Sequence, residues 1–90
     1  MDIGILFEKI EMTVNLKMSV DEFVSWYEDW FYESVDENLL DNRTFTELEN
    51  LYNDIGYYEP HEELRKEHNS YFGKEKLLEK LIKVLDVIRK

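Results

Sequence analysis

The side chains of this sequence that could do chemistry are mainly carboxylates. Twenty-one Asp and Glu residues stand beside eleven Lys and Arg residues and two histidines. A pair of carboxylates can serve as the general acid and base of glycoside hydrolysis. With so many acids in 90 residues, chance pairs are expected in almost any fold, so they do not indicate an enzyme.

Other catalytic and metal-binding patterns are missing from the sequence. His61 and His68 are seven positions apart, without the HExxH spacing of zinc proteases, and there is no cysteine. No acidic cluster is followed by the glycine of a calcium loop, and three scattered glycines cannot form a phosphate loop. No serine has a paired base and a rigid elbow. We therefore predict no catalytic residue, no metal and no cofactor, with both histidines at the surface.

The acids are concentrated in the middle of the chain. Residues 19–63 contain fourteen acidic side chains and a single base, Arg43, whereas residues 64–90 contain four acids and eight bases. Concentrated like charge destabilises a fold by self-repulsion, so the pattern favours a role in binding a basic partner. A net charge of −10 argues against nucleic acid and anionic lipid as direct partners.

Segment 54–63 has the composition of a binding surface. It combines two adjacent tyrosines and a proline with more acids than the positive end of a short helix requires. Adjacent residues at a turn cannot both face the core, so one tyrosine should pack inward while the other, or its hydroxyl, reaches the surface. The predicted partner-binding residues are Asp54, Tyr57, Tyr58, Glu59, His61, Glu62 and Glu63.

A second aromatic cluster lies earlier in the chain. Trp26 and Trp30 are four residues apart, on the shoulder of a face formed by Phe23, Tyr27 and Phe31. The simpler interpretation is that bulky rings fill a shallow core. The alternative is a partly exposed interface hot spot, since Trp and Tyr dominate interface energetics.

The elements that must position these residues are predicted to be helices. Apolar residues recur at spacings of three and four in four stripes, within residues 3–14, 20–31, 45–55 and 77–88. Short polar connections join them, apart from a longer acid-rich loop at 34–43. The sequence therefore predicts an all-α fold, an antiparallel four-helix bundle that forms a single domain over residues 1–90.

Local signals mark where the second and third helices begin and end. Ser19 with Glu22, and Thr44 with Glu47, have the spacing of capping boxes. Gly56 is expected to end the third helix in the left-handed conformation.

Further signals follow in the last third of the chain. Pro60 is expected to open a short extra helical turn around residues 60–66. The last helix is expected to begin near Gly73.

The sequence carries no sign of export or membrane insertion. The first residues lack the basic region and apolar stretch of a signal peptide. No run approaches the roughly eighteen apolar residues of a membrane span. A cytoplasmic location is expected, and the absence of cysteine is compatible with it.

Part of the chain resembles a known family. A helix with apolar and aromatic residues is followed by an aromatic, a Glu-Pro pair, polar or acidic residues and an arginine, here Leu48, Leu51, Tyr52, Tyr58, Glu59-Pro60 and Arg65. This pattern resembles the colicin D type immunity proteins, acidic helical inhibitors of bacterial tRNA-cleaving toxins. The helix start at 19–23 and the amphipathic last helix are similar to that family as well.

The resemblance implies a bacteriocin immunity protein that is not an enzyme. It would be a monomer when free and a heterodimer with the basic nuclease domain of a toxin, its carboxylates standing where tRNA phosphates would lie. Glu59 is the position carried over first. The family's acid after the proline falls on His61, with Glu62 next, and its acid before the aromatic falls on Gly56, with Asp54 nearby. These departures imply a different cognate toxin.

Three alternatives remain open at the level of sequence. The paired tyrosines before Pro60 also resemble, more weakly, the immunity proteins of DNase colicins. A nucleic-acid mimic that inhibits another DNA- or RNA-binding protein would use the same charge pattern. An acidic accessory subunit, whose apolar face completes another protein, is a third possibility.

Overall fold

The computed structural model describes residues 3–36, 38 and 40–89. In these ranges the chain forms five α-helices and no β-strand, which confirms the predicted all-α class. The helices are α1 (Ile3–Val14), α2 (Val20–Ser34), α3 (Asn42–Ile55), α4 (Glu62–Arg65) and α5 (Lys74–Ile88). Of the predicted acid-rich loop, Glu37 and Leu39 lie outside the described residues, as do Met1, Asp2 and Lys90.

The four long helices pack around one core. Helices α2 and α5 contact each other, and both also contact α1 and α3. The apolar stripes of all four helices meet in this core because burial removes their side chains from water. The most deeply buried apolar side chains, each at most 3% exposed, are Leu6, Ile10, Phe23, Tyr27, Leu48, Leu51, Ile55, Leu77 and Leu81.

Most rings of α2 belong to the core. Phe23 and Tyr27 are fully buried, and Trp30 is nearly so. Trp26 is half-buried and stacks on Trp30 with ring centroids 5.4 Å apart. The Tyr27 hydroxyl donates to the Leu48 carbonyl at 2.7 Å and so joins α2 to α3, while burial raises the pKa of Tyr27 far above its usual value. The core interpretation is thus confirmed for Trp30, and Trp26 is only partly covered.

The N-terminal caps differ in how well the sequence predicts them. Ser19 caps α2 as expected, its Oγ accepting the Glu22 N–H at 3.1 Å. The prediction that Thr44 caps α3 is wrong, because α3 begins at Asn42 and Asp41 is its N-cap. The Asp41 carboxylate accepts the Thr44 N–H at 2.7 Å, and this backbone hydrogen bond lowers the pKa of Asp41. Aspartate is favoured there because it also suits the positive helix end.

The predicted left-handed conformation of Gly56 is also wrong. Its φ is −61° and its ψ is −19°, which is right-handed. Helix α3 tightens after Ile55 into successive i→i−3 hydrogen bonds, in which Gly56 N–H reaches Asn53 O and Tyr57 N–H reaches Asp54 O. Because the chain continues turning in the same hand, no reversal is needed at Gly56. The short helix α4 starts at Glu62, so Pro60 precedes it and His61 occupies the N-cap.

The left-handed residue of the described chain is Leu16, with φ 63°. It follows α1 in a Schellman arrangement, in which Leu16 N–H donates to Thr13 O and Lys17 N–H donates to Met12 O. Glycine is the usual residue at this position because it has no Cβ to clash with the backbone. The Leu16 side chain is 84% exposed, so little burial compensates the strain.

We therefore expect Leu16→Gly to raise the free energy of unfolding by about 1 kcal/mol. Urea denaturation followed by circular dichroism measures the change. Lys17→Gly is the matched control, because Lys17 has no positive φ and glycine there should destabilise the fold. Lower stability of Leu16→Gly would show that the leucine makes contacts that outweigh its backbone strain.

Candidate functional site

The segment that follows α3 is fastened to the start of α5 by main-chain hydrogen bonds. Glu59 N–H donates to Phe72 O at 2.9 Å, and Phe72 N–H donates to Tyr57 O at 3.1 Å, forming an isolated parallel bridge between Tyr58 and Phe72. Phe72 is buried in the core, so the bridge connects this segment to the rigid part of the molecule. We call residues 57–63 the acidic turn.

The two tyrosines of the acidic turn point in different directions. Tyr58 packs against the core, and its hydroxyl donates to an Asp21 carboxylate oxygen at 2.7 Å. Burial, followed by this hydrogen bond, raises the pKa of Tyr58. Tyr57 is 45% exposed, with its ring 6.0 Å from that of His68 and 6.4 Å from that of Tyr71. Tyr58 is therefore the inward tyrosine, and Tyr57 is the one that a partner could reach.

The Glu59 carboxylate is hydrogen-bonded by His61, and no Lys or Arg within the described residues forms an ion pair with it. One oxygen accepts the His61 N–H at 3.1 Å and lies 2.9 Å from His61 Nδ1, which donates when it carries the proton. The side-chain hydrogen bond and then the backbone one lower the pKa of Glu59. Glu59 is therefore an ionised carboxylate in a fixed orientation near neutral pH.

Arg65 contacts the backbone of the acidic turn rather than its carboxylates. Its Nη1 donates to the Glu59 carbonyl at 2.8 Å in a partly buried position. The contact links the C-terminal end of α4 to the turn that precedes it. Sequence reasoning placed Arg65 in a motif without assigning it this contact, because an arginine side chain can reach many acceptors.

The other predicted site residues divide into two groups. Glu62 and Glu63 are exposed in the first turn of α4, and neither has an ion-pair partner among the described residues. Asp54 lies in α3 and forms an ion pair with Lys80 of α5 at 3.3 Å. The structure therefore presents the carboxylates of Glu62 and Glu63 to solvent, whereas Asp54 is engaged within the protein.

A concavity of about 730 Å³ lies beside the acidic turn. Its lining includes Asp21, Pro60, Arg65, Lys74 and Lys76, so acidic and basic side chains meet there. Sequence reasoning did not assign Asp21 to the site. Its contact with Tyr58 joins residues 37 positions apart, and no local pattern in the sequence indicates that pairing.

A second acidic surface covers the exposed side of α2. All five acids of this helix are exposed, and the Tyr32 side chain, which lies on the same side, is 83% exposed. These six side chains lie in two rows along the helix, because positions seven and eleven apart share a face. One row contains Asp21, Glu28 and Tyr32, and the other contains Glu22, Asp29 and Glu33. Among the described residues, no Lys or Arg forms an ion pair with these acids. The acidic character of the chain is therefore not confined to the acidic turn.

Two further observations concern ligands and membranes. Within residues 3–36, 38 and 40–89, no three His, Asp or Glu side chains are grouped so that they could hold a metal ion. None of the helices described here has both the length and the apolar character needed to cross a bilayer.

Comparison with known proteins gives no relative. No family model matches the chain, and no curated protein or solved structure is significantly similar to it.

The hydrogen bonds at Glu59 predict a pH effect. His61→Ala should raise the pKa of Glu59 towards its usual value of 4.5, because the imidazole is the largest cause of the lowered pKa. A carboxylate whose pKa is lower in the folded state stabilises the fold above its unfolded pKa, and this contribution disappears as the pH falls through the folded value. Titration of the Glu59 carboxyl carbon by NMR measures the pKa directly.

His68→Ala is the control for this titration, because His68 contacts Tyr57 and Tyr71 and not Glu59. The pKa of Glu59 should stay the same in that variant. An unchanged Glu59 pKa in His61→Ala would show that the imidazole does not hold the carboxylate in solution.

Proposed function

We propose that this protein is an immunity protein that binds the basic nuclease domain of a cognate toxin, in the first instance a tRNase. Its carboxylates would occupy the active site where the phosphates of the nucleic acid lie. The proposal includes an antiparallel bundle arrangement of the four long helices, a cytoplasmic location, and a free monomer that forms a heterodimer with the toxin. It rests on the resemblance around Glu59-Pro60 and on the following properties of the site.

The observation that carries the proposal is the fixed position of the Glu59 carboxylate. His61 holds the carboxylate, and the main chain of the turn is bonded to Phe72 and Arg65. A carboxylate that is already ordered loses little conformational entropy on binding, so more of its interaction energy appears as affinity. Glu62 and Glu63 extend the negative surface from the same turn.

The acids of α2 would contribute through their field. They are exposed and have no basic partner within the described part of the chain. A nuclease active site concentrates Lys and Arg to hold a polyanion, so the two fields are complementary. Such complementarity can raise association rates to about 10⁸–10⁹ M⁻¹s⁻¹ at low salt. Fast capture suits an inhibitor that must act before the toxin damages its own cell.

Tyr57 is the candidate for an anchor that becomes desolvated in the complex. Its ring is 45% exposed and stands beside His68 and Tyr71. Exposed tyrosines are over-represented among interface residues whose truncation costs much affinity. An exposed aromatic ring in a turn that also carries Glu59, Glu62 and Glu63 fits a basic partner that also offers an apolar contact.

The arrangement of exposed apolar side chains favours this proposal over an accessory subunit. The large exposed ones described are Leu16, Tyr32, Tyr57, Leu64 and Ile82. They lie on a loop, on α2, in the acidic turn, on α4 and on α5, so no described helix carries more than one of them. A subunit that completes another protein needs one continuous apolar face.

The first test is charge reversal in the acidic turn. The double variant Glu59→Lys, Glu62→Lys should weaken binding to the toxin nuclease domain by about tenfold or more. Under the proposed function, the reading frame of this toxin lies directly upstream of the gene. The association rate should fall as well, because the variant reverses the local field. Stopped-flow association and a nuclease inhibition assay measure the two effects.

Glu8→Lys with Asp86→Lys is the matched control, since both residues are exposed acids on α1 and α5 and the net charge changes equally. The control should keep most of the affinity. If the turn variant protected the nuclease substrate as well as the parent protein does, the assignment of the binding face would be wrong. If the parent did not bind the upstream product, the proposed function itself would be wrong.

Salt should act in opposite directions on the free protein and on the complex. Screening relieves repulsion among the unpaired acids, so moderate salt should raise the thermal midpoint of the free protein. The same screening should weaken the complex with a basic nuclease domain. Differential scanning calorimetry and binding isotherms over a salt series measure both. A midpoint that falls with salt would contradict the idea that the acids repel one another in the folded state.

A further inference from the structure

Arg65 contacts two backbone positions at once. Its Nη1 donates to the Glu59 carbonyl at 2.8 Å, and the same guanidinium lies against Gly73 at the start of α5. A Cβ placed on Gly73 would come within 2.8 Å of Arg65 Nη1 and 3.1 Å of its Cζ. Side chains do not tolerate contacts this short, so the guanidinium occupies space that exists only because residue 73 is glycine.

The conformation of Gly73 does not by itself require glycine. Its φ of −98° and ψ of −171° form an extended backbone that any residue can adopt. Gly73 is also the N-cap of α5, where Ser, Thr, Asp or Asn would accept a free helix N–H, and α5 has no side-chain cap. Glycine at this position cannot form such a cap with a side chain. The structure shows one feature that compensates for the missing cap, which is the space that Gly73 leaves for the Arg65 guanidinium.

The charge of Arg65 is opposite to the one that a surface for a basic partner needs. A cation beside Glu59 and Glu62 repels Lys and Arg side chains of the nuclease and lowers the field of the acidic turn. Arg65 is nevertheless half-buried and bonded to the turn, and its planar guanidinium presents several donors in fixed geometry. If Arg65 serves to hold the backbone of the acidic turn, its position is explained. If it served to strengthen the negative field of the turn, its position would not be explained.

We propose that Arg65 is a positioning residue for partner binding: its guanidinium holds the Glu59 carbonyl, and thereby sets the direction of the Glu59 carboxylate, while Gly73 provides the space. The inference rests on the proposed function and deepens it, because it adds a base and a glycine to a site defined by acids. It makes binding depend on the geometry of the turn as well as on its charge.

Positioning and charge predict opposite effects for Arg65→Met. The substitution removes one positive charge, so a purely electrostatic surface would bind a basic nuclease domain more tightly. Loss of the hold on Glu59 should instead weaken binding, by about tenfold, and mainly through faster dissociation. Lys66→Met is the matched control, since it removes the same charge from the adjacent exposed residue and should leave affinity unchanged or slightly higher.

Gly73→Ala tests the same contact without changing any charge. Its methyl group would displace the end of the flexible Arg65 side chain, so the fold should survive while binding weakens. In an Arg65→Met background the guanidinium is absent, and Gly73→Ala should have little further effect. This non-additivity is expected only if the two residues act through one contact.

The experiment uses the full chain with the nuclease domain encoded directly upstream, and poly-L-lysine as a probe of charge alone. Arg65→Met and Gly73→Ala should both weaken the nuclease complex, whereas poly-L-lysine should bind Arg65→Met as tightly as the parent or more tightly. Amide hydrogen exchange at Glu59 and His61 should accelerate several-fold in both variants, with exchange at the core residue Leu81 unchanged.

The outcomes separate the two proposals. Binding by the parent protein together with undiminished affinity of Arg65→Met overturns the inference and leaves the proposed function intact. Additive effects of Arg65→Met and Gly73→Ala, or unaltered exchange at Glu59, overturn it as well. Absence of binding by the parent protein overturns the proposed function, and the role of Arg65 in binding with it.

Discussion

The pair of main-chain hydrogen bonds between the acidic turn and Phe72 is the constraint on which the site depends. Residues 56–73 leave the core after α3 and return to it at α5, with only the four-residue α4 between them. Phe72 and Tyr58 both pack on the core, so hydrophobic burial holds the two backbones side by side. Once the two backbones are aligned, the Glu59 N–H donates to Phe72 O and the Phe72 N–H donates to Tyr57 O. Backbone groups shielded from water must be hydrogen-bonded in this way. This bridge positions the backbone from which the Glu59 side chain projects.

The sequence was sufficient for the helices and insufficient for the contacts that shape the site. Apolar periodicity reports which face of a segment is buried, and it located all four long helices. The capping-box spacing predicted Thr44 as the cap, but Asp41, three positions earlier, is also a good cap residue and is the one that caps α3. Nor could it place left-handed backbone at Leu16, because composition favours Gly56. The bond from Tyr58 to Asp21 depends on how α2 packs, which no local pattern encodes.

Among the described residues, no Lys or Arg forms an ion pair with the acids of α2. Lys80 pairs with Asp54, and Arg89 pairs with Glu11 on α1. Both pairs join α5 to a neighbouring helix, and neither reaches the exposed side of α2. Solvent-exposed pairs of this kind contribute little to stability, so they do not explain the distribution of charge. The distribution is instead consistent with the proposed function, in which the α2 acids act on a partner through their field.

An electrostatic field and a contact geometry act over different ranges, and under the proposed function this difference would divide the work between the two acidic surfaces. At physiological salt the field of α2 is screened beyond about 8 Å, so it can orient an approaching basic domain but cannot select one by shape. The acidic turn would act at contact, where a carboxylate must meet a particular base at hydrogen-bond distance. Selecting a partner by contact therefore requires that the backbone of the acidic turn be fixed. A fixed backbone requires hydrogen-bond donors for its carbonyls, as Arg65 is for the Glu59 carbonyl. The positioning role proposed for Arg65 would follow from this requirement: a site for a basic partner would accept one positive charge so that Glu59 keeps its direction.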